Sequence, residues 1–268
     1  MFRPATADEL GRLVRPLIAA RLFTDEAEVR AAHVADPWRV LVAGRDVAVC
    51  DRWRDHLGLL AVEALWCAEP RVAEHVRGLI DLAHERGYDA LLSPPVSEAD
   101  IAPYEAAGMH VIETASSWWR PLVRRPVPVA GGPPGMTVRV GGPADIPAVA
   151  AADGACFEQF WRYDLRHLDR LVGTQRLTVA ESGDDVVGYT LSTVDRGHAQ
   201  LGRLGVVPAW RNKGVGRALL DDAMRAARTR GAVRLTLCTQ VDNAAARALY
   251  GSAGFEESDV RFAFLRSD

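Results

Sequence analysis

The chain has 268 residues, with 32 Lys and Arg set against 35 Asp and Glu, for a net charge of −3 when histidines are neutral. That balance argues against a nucleic-acid binder held by bulk electrostatics. A hydrophobic fraction of 49% with 25% charged residues supports a sizeable core, in one large domain or two modest ones, and excludes extended disorder.

Four cysteines, at 50, 67, 156 and 238, lack the spacing of a zinc site. The N-terminal M-F-R-P-A-T-A-D-E-L has no apolar signal core, and no apolar run approaches the ~20 residues of a membrane span. The expectation is a cytoplasmic protein with neither membrane nor metal nor nucleic acid as partner.

Arg3 opens R-P-A-T-A-D-E-L, followed by an apolar-periodic helix. Segments 38–43, 47–53 and 58–66 are rich in β-branched and aliphatic residues and read as consecutive strands. After Pro70, Val72, Val76, Leu79, Ile80 and Leu82–Ala83 fall at helical spacing. Tyr104 and Gly108 follow in Y-E-A-A-G-M. Residues 123–135, V-R-R-P-V-P-V-A-G-G-P-P-G, deny both helix and ladder bonding and read as a linker between domains 1–122 and 136–268.

Arg139 then opens R-V-G-G-P-A-D-I before another apolar-periodic helix. The segment C-F-E-Q-F-W-R-Y-D-L supplies Phe157, Phe160, Trp161 and Tyr163, with Glu158 and Asp164 available to meet a cation. Strands are expected at 176–181, 186–194 and 200–207, the first two joined by a tight S-G-D-D turn. Residues 206–220 read V-V-P-A-W-R-N-K-G-V-G-R-A-L-L, an apolar strand end, a basic glycine-bearing turn, and a helix that buries Val215, Leu219, Ala223, Met224 and Ala227. Gly214 and Gly216 let a ligand approach the backbone amides at the helix start, and Arg211, Lys213 and Arg217 add positive charge there. The spacing describes an anion cradle. It lacks the G-K-[ST] of a nucleoside-triphosphate loop and the third glycine of a dinucleotide fold. A strand at 233–239 precedes Asp242-Asn243, a natural cap for the alanine-rich helix carrying Leu249 and Tyr250, which Gly254 closes.

Two motifs carry a resemblance. Val206, Pro208, Arg211, Gly214 and Gly216 fit V-x-P-x-x-R-x-x-G-x-G, and Asn243, Ala246, Leu249, Tyr250, Gly254 and Phe255 fit N-x-x-A-x-x-L-Y-x-x-x-G-F. In this order they resemble the coenzyme A signatures of the GNAT superfamily of N-acetyltransferases. The resemblance implies an α/β fold, a mixed, largely antiparallel sheet flanked by helices, with acetyl-CoA as co-substrate and no metal. It implies that the backbone of Leu204, Gly205 and Val206 pairs with the pantetheine arm, with a bulge near Gly202 or Gly205 opening that strand. It assigns the diphosphate to Arg211, Asn212, Lys213, Gly214, Val215, Gly216 and Arg217, with Val207 also among the coenzyme-binding residues. Asn243 would hydrogen-bond the pantetheine amide region, Ala246 and Tyr250 would also contact the cofactor, and Tyr250 would protonate the departing thiolate. The general base stays open among His198, Glu158, Asp164 and an ordered water.

The halves also echo each other. A-H-E-R-G ending at Gly87 returns as A-R-T-R-G ending at Gly231, 144 residues on, and Tyr104 and Gly108 return as Tyr250 and Gly254, 146 on. At those displacements the cradle becomes Cys67, Pro70 and Val72, and Asn243 becomes Ser97. Proline offers no N–H, and valine blocks close approach. The expectation is two tandem GNAT-like domains, the first degenerate and the second catalytic, in a monomer whose halves mimic a dimer. The reaction implied is acetyl transfer to a primary amine of a small molecule or peptide. A cysteinyl-sugar acceptor, as for mycothiol synthase, and a non-catalytic acyl-CoA-binding module stand as alternatives.

Overall fold

The structure, a computed structural model, describes residues 1–54, 56–123 and 131–268, so residues 124–130 of the expected linker lie outside the described residues. The chain divides into two compact units, Met1–Thr114 with Phe262–Asp268, and Ala115–Arg261.

In the first unit, β1 (Arg3–Pro4), α1 (Ala7–Ala19) and α2 (Glu26–Ala35) lead into β2 (Val40–Ala43), β3 (Asp46–Arg52) and β4 (Leu59–Trp66). There follow α3 (Val72–Glu85), β5 (Ala90–Leu92), β6 (Val96–Ser97), α4 (Ala102–Glu105) and the start of β7 (Met109–Pro121). Strands β1 to β4 pair antiparallel in sequence order, and β5 joins β4 in parallel. One core packs Val76, Leu79 and Leu82 of α3 against Leu41, Ala48, Leu60 and Leu91. A second packs α1 and α2 on the other face through Leu10, Leu17 and Val29.

The second unit continues with β8 (Met136–Val140), α5 (Ile146–Cys156), α6 (Leu165–Thr174), β9 (Arg176–Ser182), β10 (Asp185–Asp195) and β11 (His198–Val206). It is completed by α7 (Val215–Thr229), β12 (Arg234–Gln240), α8 (Ala244–Ser252) and the start of β13 (Glu256–Ser267). Strands β8 to β11 are antiparallel, β11 and β12 are parallel, and residues 115–121 of β7 close the far edge antiparallel to β12. This is the mixed α/β sheet flanked by helices that the resemblance implies.

The repeated R-P-A-T-A-D-E-L and R-V-G-G-P-A-D-I have one physical cause. Each arginine reaches a carboxylate six residues on, across the turn into a helix: Arg3 Nη1 to Glu9 Oε2 at 2.8 Å, and Arg139 Nη2 to Asp145 Oδ1 at 2.6 Å. Glu9 also completes a capping box with Thr6, and Asp145 accepts from the Gly142 amide at 2.8 Å. Arg3 and the Thr6 amide hold the Glu9 carboxyl down at about 2.

The units do not end where the linker suggests. Residues 115–121 belong to the second unit, and residues 262–268 return to the first. There β13 pairs with β5 and β6, and Ser93 and Leu265 exchange bonds of 2.8 and 2.9 Å. In the second unit Trp118 packs in the core with Leu237, Tyr250 and Phe255, and Arg120 Nη1 donates to the Ala253 carbonyl at 2.5 Å. A fragment of residues 136–268 would leave one edge of β12 without a partner and Tyr250 without Trp118. Circular dichroism during urea titration should show no cooperative transition for that fragment, and a cooperative one for residues 115–261.

Candidate functional site

The parallel ladder between β11 and β12 runs only from His198↔Arg234 to Leu201↔Leu237. Beyond it both strands continue, to Val206 and Gln240, without pairing to each other. On its other edge β11 stays bonded to β10 as far as Val206↔Gly188, but the register skips Gly202. The extra residue reverses the alternation of β11. Leu201 and Leu204 face the core under α7 and α8, whereas Arg203 and Gly205 face α5.

The strand end feeds directly into the loop. The Val207 amide donates to the Val187 carbonyl at 3.0 Å, a short turn spans Pro208–Trp210, and the chain passes through left-handed Asn212 (φ 57°) and Gly214 (φ 88°). Gly214 then caps α7, its carbonyl accepting from Ala218 at 3.0 Å. The first-turn amides of Val215, Gly216 and Arg217 have no intrahelical acceptor by the geometry of a helix start. A Cβ at Gly216 would lie 3.3 Å from Leu249 Cδ2, so this glycine lets α8 pack against the start of α7. The two sequence motifs meet at that contact.

The basic side chains are less free than the sequence suggests. Arg211 brackets the loop, with Nε donating to the Val206 carbonyl and Nη2 to the Cys156 carbonyl, both at 3.1 Å. Arg217 Nε meets both oxygens of the fully buried Asp221 at 3.0 and 3.2 Å. Lys213 Nζ lies 5.2 Å from the Trp210 ring centroid. The glycine cradle, the helix start and the adjoining open strand edge are backbone features suited to a diphosphate followed by an extended amide-bearing arm.

In α8 the Asn243 side chain accepts from the Ala246 amide at 3.1 Å, which spends its oxygen on the helix cap and leaves its NH2. Tyr250 is 7% exposed, its ring centroid 6.3 Å from Trp118 and 6.0 Å from Phe255. Burial pushes its phenol up to about 12, so the hydroxyl stays protonated and able to donate.

The candidate bases separate. His198 starts β11, at the end where β11 and β12 are still paired, and eight residues of strand put it roughly 25 Å from Val206. The structure therefore does not bring it to the loop. Asp164 caps α6, its Oδ1 accepting from the His167 amide at 2.6 Å. Glu158 is exposed and precedes a short turn at Gln159–Trp161.

A buried network that the sequence did not disclose lies on the α5 side. Asp153 is fully buried and accepts from Arg203 Nε at 3.0 Å, from Arg203 Nη2 at 2.6 Å, from the Tyr163 amide at 2.8 Å and from the Tyr189 hydroxyl. Arg203 Nη2 also donates to the Trp161 carbonyl at 2.6 Å. Its guanidinium carbon is 3.5 Å from the Phe157 centroid and 4.2 Å from that of Tyr163. Burial raises the Tyr189 phenol well above its usual range, keeping it a donor. The available signal was a lone aspartate in the apolar helix A-V-A-A-A-D-G-A-C, which must find a partner when buried.

The first unit repeats the opening without the cradle. The ladder of β4 with β5 stops at Ala61↔Leu92, and the register against β3 skips Glu63. Its loop from strand to helix holds only residues 67–71, against 207–214 in the second unit. At the start of α3, Asp46 accepts from Arg71 Nη1 at 2.6 Å and contacts His75 Nε2 at 2.7 Å. Among the described residues no three His, Cys, Asp or Glu side chains gather as a metal site, and no helix is long and apolar enough to cross a membrane.

Comparison with known proteins agrees with this geometry. Residues 147–255, within the second unit, match the Acetyltransferase (GNAT) family. Over 90 residues the chain is 36% identical to a ribosomal protein bS18-alanine N-acetyltransferase of Salmonella typhimurium, spanning 33% of this chain and 61% of that protein. Over 79 residues it is 42% identical to the mycothiol acetyltransferase of Beutenbergia cavernae, spanning 29% and 27%. The chain thus covers less than two thirds of either relative. A tandem GNAT protein of the clavulanic acid biosynthesis pathway shares the fold with a TM-score of 0.71 at 17% identity, over 100% of this chain and 98% of that one.

Asp153→Ala would leave the Arg203 charge buried without its carboxylate. Urea unfolding should show a loss of about 3–5 kcal/mol.

Proposed function

We propose that the second unit transfers an acetyl group from acetyl-CoA to a primary amine of a small molecule or peptide, by direct attack of the amine on the thioester. The observation that carries this reading is the unpaired edge of β11, which leads through the glycine-bearing loop 207–214 into the first turn of α7. Acetyl-CoA supplies an activated acyl group, so the protein has to position the amine and exclude water. Backbone of Leu204, Gly205 and Val206 pairs with the pantetheine arm, and an amide near Val206 donates to the thioester oxygen. Amides of Gly214–Arg217 and the Lys213 charge receive the diphosphate. The Asn243 NH2 and the backbone near Ala246 flank the arm, and Tyr250 donates to the sulfur as it leaves.

Glu158 is the better placed of the carboxylate candidates to attract an ammonium, because Asp164 is committed to its helix cap. The first unit takes no coenzyme A in this reading: its loop is short, and Asp46 already answers the charge of Arg71. A cysteinyl-sugar acceptor is a second reading, favoured by the identity with a mycothiol acetyltransferase.

Calorimetry should show one coenzyme A bound per chain, and release of free thiol from acetyl-CoA should depend on added amine. Binding without transfer to any primary amine would leave only an acyl-CoA-binding module. Gly214→Val places a branched side chain at φ 88° and should weaken coenzyme A binding about tenfold or more by the same titration. Tyr250→Phe should lower kcat about 10–100-fold while coenzyme A affinity holds. A folded-state pKa of about 12 keeps the phenol protonated, so the wild-type to Tyr250→Phe ratio should stay level from pH 7 to 10 and fall only as pH rises towards 12.

A further inference from the structure

The segment joining α5 to α6 has little structure of its own beyond one turn at Gln159–Trp161. Its backbone is held by side chains: the Phe157 carbonyl by Arg162 Nε at 2.9 Å, the Trp161 carbonyl by Arg203 and the Tyr163 amide by Asp153. Arg203 is central to this. Its side chain is 8% exposed, it bonds Asp153 through Nε and Nη2, and its guanidinium lies against both Phe157 and Tyr163. The skip at Gly202 is what turns Arg203 towards α5.

The held segment touches the strand that matters. Gly205 shares a face with Arg203, and a Cβ there would lie 3.2 Å from both Cys156 Sγ and Phe157 Cε2. The edge of the Phe157 ring therefore packs close to Gly205, beside Tyr189, whose Cε1 would lie 2.9 Å from the same Cβ. Further along the segment, Phe160 and Trp161 meet edge to face at 4.9 Å, and Glu158 is exposed. An apolar surface with a neighbouring carboxylate suits an ammonium that carries an apolar or aromatic flank.

We propose that Arg203 is a positioning residue for amine selectivity: it pins Phe157–Tyr163 over the open end of β11, so that the Phe157 ring borders the approach to the thioester. The inference rests on the acetyl-transfer reading above. Arg203 contacts neither co-substrate and acts through Phe157.

The test uses the full chain, acetyl-CoA, and two probe amines, phenethylamine and glycinamide. Wild-type protein should favour phenethylamine in kcat/KM. In Arg203→Lys, which keeps the charge but loses the fork, that preference should shrink about tenfold, through KM for phenethylamine, with kcat for glycinamide and the acetyl-CoA dissociation constant held within about twofold. Phe157→Leu, with the Arg203–Asp153 pair intact, should lose the same preference, and it keeps the question open to measurement if the lysine variant folds poorly. An unchanged preference in Phe157→Leu, or acetyl-CoA affinity falling in step with amine KM in Arg203→Lys, overturns the assignment. Wild-type protein that binds coenzyme A but acetylates no amine overturns the functional reading, and this inference falls with it. Wild-type protein that acetylates glycinamide but shows no preference for phenethylamine overturns this inference alone.

Discussion

Gly202 has no partner across the ladder between β10 and β11, and the site is arranged around that omission. An unbroken alternation would point Leu201, Arg203 and Gly205 to one face. With one residue skipped, Leu204 rejoins the apolar core with Leu201, and Arg203 turns to the opposite side, where Asp153 waits. The added local twist also accompanies the parting of β11 from β12 just after Leu201. The first unit skips Glu63 at the corresponding place and also loses its parallel ladder within a few residues. The opening is therefore a property of the architecture. What distinguishes the units is the connection that follows, eight residues with two left-handed positions in one and five residues in the other.

Local patterns were legible where a residue's neighbours in sequence are its neighbours in space. Strands expected at 38–43, 47–53, 58–66 and 176–181 are found at Val40–Ala43, Asp46–Arg52, Leu59–Trp66 and Arg176–Ser182. The buried face of α7 holds the Val215, Leu219, Ala223, Met224 and Ala227 that helical spacing marks. The destinations of the last strands were not legible. Segments 109–121 and 256–267 are strands whose early residues are mostly exposed and whose later ones alternate, and nothing local says which sheet they complete. A pairing between Cys238 and Ser117 spans more than a hundred residues of chain and has no short-range signature.

Residues nominated for chemistry show the same division. Asn243 and Asp164 both precede helices, and both spend side-chain oxygens on caps, a role that propensity alone explains. His198 is close to the loop in sequence count and far from it in space, because a strand is the most extended path between two points on a chain. Arg203 was invisible for the opposite reason: its partner lies fifty residues earlier on another element. A buried ion pair of this kind is a poor source of stability relative to a well-packed apolar pair of similar size. Its bidentate geometry does supply direction, fixing a segment whose own regular structure is one turn at Gln159–Trp161.

Tyr250 brings the packing and the proposed chemistry together. The apolar neighbours that place its ring, Trp118 and Phe255 among them, are also what lifts its phenol to about 12. A free thiol titrates near 8.5, so complete proton transfer from this phenol to a departing thiolate would run uphill by roughly 3–4 units, on the order of 5 kcal/mol. Within the proposed reaction Tyr250 is therefore best suited to donate a hydrogen bond that strengthens as charge gathers on sulfur, and a bond of that kind gains from the low dielectric that raises the pKa. The proton that finally neutralises the thiolate then has a source of matched acidity in the ammonium formed when the amine attacks. That division of labour places less demand on a dedicated base, in keeping with the distance of His198 and the capping role of Asp164.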